Sequence, residues 1–139
     1  MKDGIETVIH QSTTYAIIVR QNYTEPGIHF LTPNKLSQQL AFMKYPKGKE
    51  IPAHTHNSVP REASYTLEAL FIRKGKLRVD FYTDTEIFLE SRVLQSGDVI
   101  LLCTGGHGFE VLEEIEMIEV KQGPYTGSDD RVRFTAKTK

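Results

Sequence analysis

Gly48-Lys49-Glu50-Ile51-Pro52-Ala53-His54-Thr55-His56 is the stretch on which the reading of this chain turns. Five residues separate Gly48 from His54, and a single residue separates His54 from His56. Side chains alternate along a strand, so histidines at i and i+2 face the same way. Such a pair can share one metal ion if a carboxylate and another imidazole arrive from other strands. Downstream, six residues separate Glu68 from Gly75. A further histidine, His107, lies in Gly105-Gly106-His107-Gly108, after the apolar run Val99-Ile100-Leu101-Leu102.

Outward from these residues the chain reads as a succession of short strands broken by turns. Tyr15 to Arg20 is β-branched and apolar, and Gly27 to Leu31 follows the turn pair Pro26-Gly27. Gln39 to Tyr45 ends at Pro46-Lys47-Gly48. Leu77-Arg78-Val79-Asp80-Phe81 alternates apolar with polar, which predicts one buried and one wet face. Glu68 to Arg73 and Ile87 to Leu94 are expected as strands, and Asp98 to Cys103 as a strand buried on both faces. Ile115 to Val120 is the last strong strand and stops at Gly123-Pro124. Only Pro33 to Leu40 offers a helical turn, and Thr135 to Lys139 is a polar tail expected to fray. Many short strands with regular turn signals predict an all-β sandwich or barrel.

Bulk properties narrow the classes. The 139 residues suit one domain with one core. With 17 Lys+Arg against 18 Asp+Glu, the chain lacks the basic excess of a large nucleic-acid footprint. Its single cysteine, Cys103, allows no internal disulfide and reads as a small buried hydrophobe. No apolar run approaches the roughly 20 residues that span a bilayer, and Met1-Lys2-Asp3-Gly4-Ile5-Glu6 lacks a signal-peptide pattern. The expectation is a cytoplasmic protein without membrane or nucleic-acid partners.

The two clusters resemble the paired motifs of the cupin superfamily over residues of about 40–122. Gly48, His54, His56, Glu68 and Gly75 follow the first motif, except that the eleven residues 57–67 make a longer gap than the family pattern has. Gly97, five residues, Cys103-Thr104-Gly105 and then His107 follow the second, with Cys103 in place of a proline and His107 one residue early. Val111 lies near the place of a commonly following asparagine. The resemblance implies a single-domain double-stranded β-helix, a jelly-roll barrel, over 1–139. Residues 1–39 would supply N-terminal strands and 123–139 a C-terminal extension. It implies a divalent metal (Fe, Mn, Ni or Zn) on His54, His56, Glu68 and His107, a small-molecule ligand, and a homodimer. The segments Tyr15 to Arg20 and Val132 to Phe134 are the candidate pairing edges.

In a small barrel, inward side chains of neighbouring strands converge on one cavity. Leu70 and Ile72 would share the face of Glu68 and form an apolar floor. Phe109 and Val111 would share the face of His107, while Glu110 points away. Open coordination positions would suit catalysis better than a closed structural site. In the long 57–67 gap, Glu62 and Tyr65 are candidate catalytic groups; Arg61, together with Phe109, is a candidate substrate contact. Glu62 is also an alternative to Glu68 as a ligand. Gly48 and Gly75 are expected in turns. The glycines around His107 lack the lysine pattern and following helix of a phosphate loop. His10 and His29 read as polar surface residues, and Glu113, Glu114, Glu116 and Glu119 as a solvated face. Cupin chemistries of the dioxygenase, decarboxylase, isomerase or lyase type are all compatible, and no residue selects among them. Two alternatives stand beside this reading. One is a metal-free sugar-nucleotide epimerase or isomerase, with cationic groups such as Lys44, Lys47, Lys49 and Arg61 on the diphosphate. The other is a non-catalytic ligand sensor or accessory module.

Overall fold

The computed structural model describes residues 2–127 and 130–136. Eight strands follow in order: β1 (Ile5–His10), β2 (Thr13–Val19), β3 (Gly27–Phe30), β4 (Ala41–Lys44), β5 (Glu68–Tyr82), β6 (Phe88–Gln95), β7 (Val99–Leu102) and β8 (Gly106–Lys121). No helix occurs among the described residues; of the helical turn expected at 33–40 there is one hydrogen-bonded turn, from the Leu36 N–H to the Pro33 carbonyl at 3.2 Å. Pro33 and the bends of 36–38 leave that stretch as a loop. Six strands form one antiparallel sheet that runs β1-β2-β7-β5-β6, with β8 also on β5. β3 and β4 form a separate hairpin ladder.

β5 and β8 are the spine. β8 pairs with β5 over its whole length, from Glu68 opposite Lys121 to Tyr82 opposite Gly106. β7 and β6 pair with the first and second halves of β5. Midway, the β5–β8 ladder shifts register three times, between Ile72 and Lys74, Lys74 and Lys76, and Lys76 and Leu77. Bulges bend and twist a strand, and Gly75 sits among them with φ of 94°. A β-carbon there would lie 1.9 Å from the Glu114 carbonyl oxygen. Only glycine accommodates both the positive φ and that close approach. The sheet therefore curls into an antiparallel half-barrel.

The two halves of the curl bury a common core. Leu70 and Ile72 from one half of β5 pack with Leu77, Val79 and Phe81 from the other. Val8, Ala16, Ile18, Leu94 and Ile100 fill the space between them. Leu70 and Ile72, expected to form an apolar floor beside Glu68, are buried inside this core instead. A second, smaller cluster joins Leu67, Ala69, Leu101 and Cys103 on the other face. β7 is buried on both faces over Ile100 to Leu102.

Two strand expectations need correction. Asp80, assigned to a wet face, is buried, because Arg78 donates two hydrogen bonds to its carboxylate at 2.9 and 3.2 Å and Ser91 donates another. A satisfied carboxylate can be buried where an unpaired one cannot. The 15–20 segment, read as a pairing edge, lies mostly in β2, which is interior between β1 and β7. β1 (Ile5-Glu6-Thr7-Val8-Ile9-His10) lies within the N-terminal strands expected over 1–39 and is held by ladder pairing, by the buried Val8 and by Glu6. Arg20 donates to Glu6 at 2.6 and 3.0 Å and to the buried Asp98 at 3.0 Å. Asp98 also accepts the Gln21 and Gln95 backbone N–H groups, each at 2.9 Å. Of the 135–139 tail expected to fray, 137–139 lie outside the described residues.

Candidate functional site

Glu68 opens β5 and His107 nearly opens β8, where it lies opposite Phe81. A straight strand at about 3.3 Å per residue would set positions 68 and 81 about 43 Å apart. Yet His107 Nε2 stands 3.4 Å from Glu68 Oε2. The curl at Gly75 removes that separation by folding the β5–β8 ladder back upon itself. Glu68 also pairs with Leu102, five residues before His107, so the β5–β7 pairing and the curl together produce the contact.

Both side chains are partly buried, at 19% exposure for Glu68 and 29% for His107. Hydrogen bonding with His107 holds the Glu68 carboxyl below the usual carboxylate range, against burial that would raise it, and the charge of Lys121 assists. The pair faces a broad, open-mouthed cavity of about 1490 Å³. Tyr82, Cys103 and Phe109 share its wall, and the segments 62–67 and 130–134 border it. Burial alone pushes the Cys103 thiol up to about 11, so it is a protonated, inert wall group at neutral pH. Phe109 and Val111 lie opposite the core residues Val79 and Leu77, on the side of the strand expected for them. Both are nevertheless exposed, because no further strand covers β8 there among the described residues.

His54 and His56 are placed differently. Residues 45–67 carry no ladder, and both histidines are exposed there. The expected strand at 54–56 is thus not formed. Pro46, Pro52 and Pro60 deprive this stretch of three backbone donors. The i and i+2 rings are still near each other, with centroids 5.3 Å apart, and His54 Nδ1 lies 2.9 Å from the Pro52 carbonyl oxygen. Among the described residues, no three His, Cys, Asp or Glu side chains come together as a metal could require. The four residues form two pairs in this conformation, Glu68 with His107 and His54 with His56, and do not fit a metal as one set.

Of the 57–67 candidates, Glu62 and Tyr65 line the cavity and Arg61 does not. Tyr65 is 82% exposed at its rim. Gly48 and Gly75 have φ of 90° and 94°, as turn and bulge glycines require. Several wall residues were not read from sequence. Phe134 was assigned to a pairing edge, yet its ring meets Tyr82 edge-on at 5.2 Å. It also lies where a β-carbon on Gly106 would be 3.2 Å away. Arg131, Arg133 and Lys35 line the same cavity. The alternating Arg131-Val132-Arg133-Phe134 was the available signal. No protein family, curated protein or solved structure gives a match to the chain. Among the described residues no helix is long and apolar enough to cross a membrane.

Proposed function

We propose that this chain is a cupin-type jelly roll that binds a small molecule in the cavity over Glu68 and His107. The observation that carries the reading is the 3.4 Å approach of these two side chains, which come from opposite ends of a folded-back ladder. Convergent polar groups in a partly apolar cavity are what a small-molecule site requires. In this reading the 45–67 segment adds a strand to the unpaired edge of β8 and completes the barrel. That movement would carry His54 and His56 toward Glu68 and His107, giving three imidazoles and a carboxylate for a divalent metal. A metal so held would supply Lewis-acid or redox chemistry to a bound oxygen. Glu68 and His107 would orient the ligand, and the wall groups Tyr82, Cys103 and Phe109 would limit water. The test is elemental analysis of protein purified without affinity metals. Near-stoichiometric divalent metal is expected, with at least a tenfold loss in His54→Ala and in Glu68→Gln. Metal-free protein, or metal retained in both variants, refutes the metal centre.

The same 3.4 Å contact supports a second reading, a metal-free acid–base site. A carboxylate beside an imidazole fixes its orientation and supports proton transfer to a ligand on the open side. Chelated protein would then retain turnover in a sugar-isomerisation screen, with His107→Gln inactive. Activity that vanishes on chelation and returns with metal excludes this version.

A further inference from the structure

The segment 130–134 borders the cavity and is clipped at both ends. At one end Thr66 Oγ1 donates to Asp130 at 2.9 Å, tying the segment to the 62–67 wall. At the other end Phe134 lies edge-on to Tyr82 and over Gly106, which has no side chain to displace it. Between the clips stand Arg131 and Arg133, and Lys35 lines the same cavity. None of the three cations forms an ion pair with a carboxylate among the described residues. Most of the neighbouring acids are engaged. Glu68 faces His107, Asp80 binds Arg78 and Ser91, Glu119 meets Lys121 at 3.7 Å, and Asp130 binds Thr66. Glu62, Asp84 and Asp130, whose charge the Thr66 hydroxyl leaves in place, are the wall acids that oppose them.

We infer that Arg131, Arg133 and Lys35 form the receptor for an oxyanion, carboxylate or phosphate ester, on the small molecule that the cavity holds. Guanidinium groups match both oxyanions by bidentate hydrogen bonding, which suits a cationic strap better than a general electrostatic surface. With its anionic end on the strap, a ligand would extend its uncharged part toward Glu68 and His107, whose own carboxylate repels a second anion. The proposal rests on the reading of this cavity as the small-molecule site, but it does not depend on a metal.

The experiment uses the full chain in low-salt buffer with EDTA. It is titrated separately with inorganic phosphate, glycerol 3-phosphate, succinate and uncharged glycerol, and followed by amide NMR shifts. Saturable shifts at His107 and Phe134 are expected for at least one anion and not for glycerol. A preference for glycerol 3-phosphate would assign a phosphate ester, and a preference for succinate a carboxylate. Arg131→Gln/Arg133→Gln should weaken binding about tenfold, and Lys35→Gln less. Arg73→Gln/Lys74→Gln, which removes two exposed charges on β5 away from the cavity wall, should change it less than twofold. Equal weakening by both double variants would make the effect one of net charge and overturn the proposal. So would the absence of saturable anion binding. Anion binding that survives in metal-free His107→Gln protein would uphold the strap even if the metal reading fails.

Discussion

The folded-back β5–β8 ladder and the 45–67 segment carry two residues each of the four-residue set, and the chain treats them in opposite ways. In the ladder, apolar side chains at Leu70, Ile72, Leu77, Val79 and Phe81 are buried to within a few per cent. Burial on this scale stabilises by about 25 cal/mol for each Å² of apolar surface. It fixes the curl, and the curl fixes Glu68 against His107. In the 45–67 segment, Ile51, Val59 and Tyr65 are all more than half exposed, and proline interrupts the backbone donors. Among the described residues, only the contact between their own rings and the Pro52 carbonyl beside His54 fix His54 and His56, with no packing from the core. The lesson is that a ligand pattern becomes a site only where packing determines where its donors stand.

Glycine substitutions probe this contrast most strongly. Gly75→Val places side-chain atoms in the Glu114 carbonyl at a positive φ. It should cost on the order of 4 kcal/mol in urea denaturation and dissolve the curl. Gly48→Ala meets nothing within 4 Å, although its φ is 90°. It should cost only about 1 kcal/mol. Equal costs at the two positions would mean that the ladder is no more determined than the open segment.

A smaller effect is expected on the pH profile. Hydrogen bonding from Arg20 holds the Glu6 carboxyl below its ordinary value of 4.5, with Arg92 assisting and burial opposing. A carboxyl depressed in the folded state binds fewer protons there than in the unfolded chain. Its contribution is therefore full above about pH 4.5 and is lost as pH falls through the folded value. Denaturation midpoints from pH 7 to pH 3 should fall in the native chain, and less steeply in Glu6→Gln. An unchanged slope in that variant would remove Glu6 from the account.

The smallest perturbation is chemical. Cys103 is buried, and its thiol is pushed up to about 11. At pH 8 it should resist iodoacetamide in folded protein and react within minutes in denaturant. Prompt labelling of the folded chain would mean that this wall of the cavity opens.

The strands were legible where period and length agreed. β2, β3 and β7 fall close to the bounds that apolar runs and turn residues give, whereas Leu70 and Ile72, expected as a cavity floor, are buried in the core. The face of Phe109 and Val111 was also legible, since alternation fixes side. Their exposure was not, because it depends on whether another strand covers β8. Asp80 defeated the simple pattern, since Arg78 and Ser91 satisfy it inside the structure. The Glu68–His107 contact follows from a corner at Gly75, and a glycine's spacing alone does not reveal how sharply a ladder bends there. The clips that hold Arg131 and Arg133 join segments more than sixty residues apart in one case, Thr66 to Asp130, where no local pattern can signal them.

The direct test of the fold-back is a set of proton–proton Overhauser contacts in the unmodified chain. Cross-peaks between backbone protons of Phe81 and His107, and of Glu68 and Lys121, would report the ladder. A further cross-peak between the His107 ring and the Glu68 side chain would report its closure, and all three are expected together. Ladder contacts without that third cross-peak would mean an extended sheet with its ends apart, contradicting the account of the site.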